Sequence, residues 1–344
     1  MEVELRGHLA SIRKIKGSKL LALTHPNADP DALASAVGFK ELCEKLWEGE
    51  GEVTLVFPQG VSRVSKRVME KFGLNISYCE APEIPADYIA MLDTSNLSEL
   101  RIGTELRETI LKDPKRLIVI DHHYPTEPNI LANAFIALVD QGAYSTSLLI
   151  YKLFKTAGEL PSPSTASLLL AGIIYDTRRF VYSSEEVLRA AADILALGVN
   201  YGNVLEALRV EPEPSERIAK LKGLKRAKVY RVGTWLIATS KIGAFEASLA
   251  RTLLEVGADV ALVASEREEG VRLVARSTTK FFSSTKFSLG SHLIASLSKH
   301  IECSGGGHDT SAGMICKGDV EDLLYKAVKA IAGYLSDDIQ ELAD

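Results

Sequence analysis

Short, uninterrupted apolar runs recur through the first half of the chain: KLLALT, EVTLVF, YIAMLD, RLIVID and FIALVD. Between the first two, residues 31–47 place small and apolar side chains at helical spacing. Asp29-Pro30 just before them is a natural N-cap and first helical position. Runs without polar alternation belong to strands covered on both faces, so the alternation with helical patterns predicts a parallel sheet wrapped by helices. Further helical patterns lie at 144–157, 165–175 and 184–197. The prolines and acids of VEPEPSERIAK then mark a connecting stretch.

Beyond it, AKVYRV, TWLIATS, DVALVASE and GVRLVARS read as strands, and 245–256, 291–301 and 320–335 as helices. The expected organisation is α/β throughout. A parallel-sheet catalytic domain at 1–198 and a linker at 199–222 precede a smaller α/β domain at 223–344, with a cleft between the domains. The acidic end, SDDIQELAD, reads as a solvated tail.

At 344 residues the chain exceeds what one core usually serves, which agrees with two domains. No stretch is apolar enough to span a bilayer, and the charged N-terminus lacks the features of a signal peptide, so no membrane is involved and a cytoplasmic location is expected. The net charge of -5 argues against a protein that coats long nucleic acid. The basic run 217–231 reads as a solvated helix face or a local guide for a nucleic-acid backbone. Cys43, Cys79, Cys303 and Cys316 form no close pair, so they are expected as reduced core residues.

Three of the apolar strands end in metal-binding residue types: KLLALT in His25, YIAML in Asp93, and RLIVI in Asp121-His122-His123. Parallel strands present their carboxyl ends at one edge, so these side chains converge there, joined by Asp29 and Asp31 from the loop after the first strand. Singly, each has an ordinary structural reading as a helix cap or a satisfied histidine. Jointly, so many anionic groups need a cation. Carboxylates and imidazoles without thiolates suit manganese, with magnesium as the alternative, and the donors suffice for two ions around a bridging carboxylate.

At this point the sequence resembles the DHH phosphoesterase superfamily. "THPNADPDALASA", "MLDTSN", "VIDHHYP" and "GIIYDTRRF" resemble its four motifs in order, and "SGGGHDTSAG" resembles the DHH-associated domain of RecJ-like nucleases, nano-RNases and cyclic-dinucleotide phosphodiesterases. Matched motif by motif, the resemblance implies one ion held by His25, Asp29, Asp93 and Asp176 and another held by Asp31, Asp93 and His122. Asp93 would bridge, His123 would face the scissile phosphate, and Asp121 would orient the histidines. Two departures stand out: Ala34 where relatives often have glycine, and Asp309-Thr310 after the glycine-histidine signature, where small apolar residues are common.

The glycines Gly305, Gly306 and Gly307 read as a turn able to take positive φ and offer backbone N–H groups to an anion, with His308 as a further donor. By resemblance, Arg276 and Ser277 bind substrate beside them. Ser145 and Thr146 open a helix beneath the acidic edge, either as simple caps or as partners of a phosphate or a metal-held water. Phe281, Phe282 and Phe287 are assigned to core packing.

The resulting expectation is a manganese-dependent phosphodiesterase, foremost an exonuclease on short or single-stranded RNA or DNA. The alternatives are a pAp phosphatase, a cyclic-dinucleotide phosphodiesterase, a nuclease that docks on a DNA-repair or replication helicase, and a non-catalytic scaffold. An inorganic pyrophosphatase is disfavoured by the glycine-histidine signature. A homo-oligomer is compatible with the sequence. A dinucleotide-binding oxidoreductase is excluded, because THPNADPD follows the first strand in place of a Gly-x-Gly-x-x-Gly turn.

Overall fold

The computed structural model describes residues 2–81, 86–125, 128–209 and 211–342. The chain divides into two compact units, Met1–Val210 and Glu211–Asp344. In the first, α1 (Glu2–Lys14), β1 (Lys19–Leu23), α2 (Pro30–Leu46), β2 (Glu52–Val56), α3 (Arg63–Lys71) and β3 (Tyr88–Leu92) are followed by α4 (Thr104–Lys112), β4 (Leu117–Asp121), α5 (Pro128–Asn133) and β5 (Ile136–Val139). Four helices complete it: α6 (Thr146–Ala157), α7 (Pro163–Asp176), α8 (Glu185–Ala196) and α9 (Tyr201–Ala207). The sheet order is β2-β1-β3-β4-β5 and every pairing is parallel. All five strands therefore end at the same edge.

The strand interiors are buried almost without exception, as their unbroken apolar character predicts. Asp29 caps α2 by accepting from the backbone N–H groups of Asp31 and Ala32, with Pro30 in the first turn. Behind the sheet, small residues let α2, α6 and α7 approach closely: a Cβ on Gly38 of α2 would meet Ile150 and Leu169. This packing sets the N-terminus of α6 against the start of α2.

The second unit contains α10 (Pro214–Lys225), β6 (Lys228–Val232), β7 (Trp235–Lys241), α11 (Glu246–Glu255), β8 (Val260–Arg267) and β9 (Gly270–Ser277). After these come α12 (Thr279–Thr285), a π-helical turn (Leu289–Leu293), α13 (Ile294–Ser298), β10 (Cys303–His308), β11 (Ser311–Cys316), α14 (Val320–Leu335) and β12 (Ile339–Leu342). Its sheet runs β10-β11-β9-β8-β7-β6-β12, antiparallel except for β7 beside β8. Phe281 and Phe287 lie in its core.

Several expectations need correction. Residues 199–222 are mostly helical, because α9 and the start of α10 flank a short connection. The basic run agrees with its reading as a solvated helix face: it is the largely exposed side of α10 continuing into β6, with Lys220 paired to Glu216. The charged N-terminus is an amphipathic helix that buries Leu5, Leu9 and Ile12 on one side. In the acidic tail, Ile339–Leu342 pairs with β6 at the sheet edge; Ala343 and Asp344 lie outside the described residues.

The cysteines also differ from expectation. Cys303 and Cys316 form a disulfide, whereas Cys43 and Cys79 are free. Antiparallel pairing of β10 and β11 sets these two residues directly opposite with Cα atoms 4.1 Å apart, a proximity their spacing along the chain does not announce.

Candidate functional site

At the carboxyl edge of the first sheet, His25 and Asp29 follow β1, Asp93 follows β3, and Asp121 closes β4 with His122 and His123 just beyond. Asp31 sits in the first turn of α2, and Asp176 is the last residue of α7. Three donor sets of His and Asp atoms, each lying within 4.8 Å, result: His25, Asp29 and Asp93; Asp31, Asp93, His122 and Asp176; and Asp93, His122 and His123. Asp93 belongs to all of them. Asp176 falls with Asp31 and His122, its Oδ2 3.0 Å from His122 Nε2, rather than with His25 and Asp29.

The buried acids are tightly held. Asp31, fully buried, accepts from the backbone N–H of Thr146 (2.7 Å) and of Ser147 (2.9 Å) at the positive end of α6. Thr146 Oγ1 donates to Asp93 Oδ1 at 2.8 Å, and Ser145 caps α6. Thr146 and Ser147 thus position acids rather than standing open to a phosphate. Gly172 of α7 makes room for this arrangement, since a Cβ there would collide with Ser147 Oγ and Asp31 Oδ1. Sequence reading missed Ser147 and Gly172; a glycine inside an otherwise apolar helix was the available signal.

Burial first, then the charges of Asp93 and Asp176, push the Asp31 carboxyl well above its ordinary range. Burial, with Asp29 and Asp176, likewise raises Asp93 against the opposing hydrogen bond from His25. Burial lowers the His25 imidazole, but its bonds to Asp29 and Asp93 outweigh this and bring it up to about 11. His25 Nδ1 lies 3.0 Å from the Pro26 carbonyl, which leaves Nε2 toward the acids. Asp121 Oδ1 accepts from both following backbone N–H groups and lies 2.8 Å from His123 Nδ1, an interaction that raises His123 to about 9. His123 is half exposed, with Nε2 free of that contact.

Such crowding of buried carboxylates with so little cationic compensation is what a divalent cation relieves, and the donor chemistry fits one. His122 Nε2 is buried among carboxylate oxygens, 3.0 Å from Asp176 Oδ2 and 3.5 Å from Asp93 Oδ1, yet makes no hydrogen bond of good geometry with the described residues, as suits a ligand atom.

In the second unit, Arg276 of β9 pairs with Ser311 of β11, which pairs with His308 of β10, forming one row across three strands. Ser277 Oγ and Arg276 Nε are buried without hydrogen-bond partners among the described residues. The glycines differ from the expected turn: Gly305, Gly306 and Gly307 lie in extended β10, and none has positive φ. Close approach explains two of them instead. A Cβ on Gly305 or Gly307 would strike the β11 backbone, and one on Gly290 would strike Gly307.

Residues 19–173 match the model of the DHH family, N-terminal domain. These residues belong to the DHH family, which supports the DHH phosphoesterase superfamily for the chain. It is 24% identical to the "Bifunctional oligoribonuclease and PAP phosphatase NrnA" of Thermus thermophilus, with 95% of each chain covered. It is 30% identical to a "Probable manganese-dependent inorganic pyrophosphatase" of Streptococcus agalactiae, over 46% of this chain and 49% of that one. The solved structure of an exopolyphosphatase-related protein from Bacteroides fragilis shares the fold, with a TM-score of 0.63, 17% identity and 97% of each chain covered. This DHH protein is thus related to phosphoester and phosphoanhydride hydrolases, and no helix among its described residues is long and apolar enough to cross a membrane.

Proposed function

We propose that this DHH protein is a manganese-dependent phosphodiesterase of the cytoplasm that releases nucleotides from short or single-stranded RNA or DNA. The observation that carries the reading is Asp93, shared by every donor set at the sheet edge. In this reading His25, Asp29 and Asp93 hold one cation, and Asp31, Asp93, His122 and Asp176 hold the other. When bound, the two ions would offset the negative charge that builds on the phosphoryl oxygens and lower the pKa of the water that attacks phosphorus as the leaving oxygen departs. Thr146 and Ser147 keep Asp31 and Asp93 in place for both.

Asp121 fixes the His123 ring through Nδ1, so Nε2 is presented to a non-bridging phosphate oxygen. Arg276, Ser277 and His308 on the row of the second sheet bind a remote phosphate or sugar, the guanidinium pairing bidentately. Gly305 and Gly307 let β10 lie close enough to β11 for His308 to join that row.

The NrnA relative supports a second substrate, pAp, for the same centre. The test is a substrate panel with purified protein and manganese: 5′-phosphorylated short RNA and DNA, pAp, a cyclic dinucleotide and inorganic pyrophosphate. Mononucleotide release from the oligonucleotides supports the reading. Hydrolysis of pAp alone would favour the second reading, and hydrolysis of pyrophosphate alone overturns both.

A further inference from the structure

Just past α7, Arg178, Arg179 and Phe180 take left-handed backbone conformations in succession, with φ of 48°, 59° and 66°. For non-glycine residues each such conformation costs on the order of 1–3 kcal/mol, and it persists only where the surroundings enforce it. Here the enforcement is visible. Thr177 Oγ1, itself buried, accepts from the Phe180 N–H, the Arg179 N–H donates to Ile174 O at 2.7 Å, and the Tyr182 N–H donates to Thr177 O. The turn begins within two residues of Asp176.

It presents two guanidiniums that have no ion-pair partner among the described residues, in a chain of net charge -5. Arg178 lies over the ring of Tyr182, 5.3 Å from its centroid. Both arginines line a pocket of about 280 Å³ together with Ile174, Tyr175 and Leu208. Two unpaired guanidiniums beside an exposed aromatic and apolar wall make a site for a phosphate that carries a nucleoside.

We propose that Arg178 and Arg179 bind the terminal phosphate of the substrate, while Tyr175 and Leu208 take the attached ribose or base, which leaves the sugar at the substrate's other end to the row of Arg276, Ser277 and His308. This rests on the phosphodiesterase reading of the neighbouring centre and deepens it: the enzyme favours substrates with a terminal phosphate. A 5′-phosphorylated dinucleotide, pApA, is then a better substrate than ApA.

The test compares kcat/KM for pApA and ApA with manganese in the wild type, in Arg178→Ala/Arg179→Ala, and in Arg179→Gly, whose glycine suits the left-handed position and guards against misfolding. The expected result is a preference for pApA that falls by about tenfold or more in the double variant and also falls in Arg179→Gly, with kcat/KM for ApA unchanged. Equal losses on both substrates, or an unchanged preference, overturn the proposal while leaving the phosphodiesterase reading standing. If wild-type protein cleaves neither dinucleotide yet cleaves pyrophosphate, the phosphodiesterase reading fails and this inference falls with it.

Discussion

Replacing Asp93 with asparagine separates the demands of the metal centre from those of the fold. Asp93 is buried and shares a donor set, within 4.8 Å, with Asp31 and Asp176. At that separation and an effective dielectric of about 20, each carboxylate pair repels by about 3.5 kcal/mol. Protonated His25, with Nε2 3.7 Å from Asp93 Oδ2, returns about 4.5 kcal/mol by the same rule. In the metal-free protein the Asp93 charge is therefore unfavourable by about 2–3 kcal/mol. Asparagine keeps the shape and still accepts the Thr146 hydroxyl hydrogen bond. Metal-free Asp93→Asn should melt about 5–10 °C above the metal-free wild type, gain less than wild type from added manganese, and lose turnover. The assay is scanning calorimetry on chelator-treated protein at neutral pH, with and without manganese, alongside the oligonucleotide assay. A metal-free variant that melts below the wild type refutes the charge-crowding argument, and retained turnover removes Asp93 from its shared role.

The pH dependence of metal-free stability follows from the same groups. Asp31 and Asp93 titrate above their unfolded values, so the folded state holds extra protons and stability falls as pH rises above about 4. His25 and His123, raised to about 11 and about 9, contribute stability that is complete below about 6.5 and lost as pH rises through those values. Metal-free protein should thus melt lower at pH 9.5 than at pH 6; a melting temperature that does not fall from the lower to the higher pH shows that these groups are uncoupled from folding. Gly172→Ala should destabilise by about 1–3 kcal/mol through the collision with Ser147 and Asp31, and lower manganese affinity measured by calorimetric titration; unchanged affinity denies α7 its part in shaping the centre. Removing the Cys303–Cys316 bridge, which spans 13 residues, by the double serine substitution should cost about 3 kcal/mol, seen as a lower denaturation midpoint; a midpoint unaffected by either substitution or reductant argues that the bridge does not form in solution.

Much of this architecture was legible because it depends on local rules. Unbroken apolar runs gave the buried parallel strands, Asp29-Pro30 gave the start of α2, and a parallel sheet necessarily brings His25, Asp93 and Asp121 to one edge. What escaped was long-range. Asp176 ends a helix, so only its resemblance to a family motif placed it near the acids, and its position beside His122 came from the packing of α7. The glycines of β10 looked like a turn because glycine permits one; their actual requirement is room for β11 and for the chain at Gly290, which no spacing rule reveals. The disulfide depends on strand register, and the helix α1 hid among charges that dilute its buried stripe of Leu5, Leu9 and Ile12.

The most direct test of the metal centre is anomalous scattering from crystals grown with manganese and recorded at the manganese edge. Two peaks per chain are predicted, one within bonding reach of His25 and Asp29 and the other of Asp31 and His122, with Asp93 touching both. No peak at the sheet edge, or a single ion that Asp93 does not contact, contradicts the account.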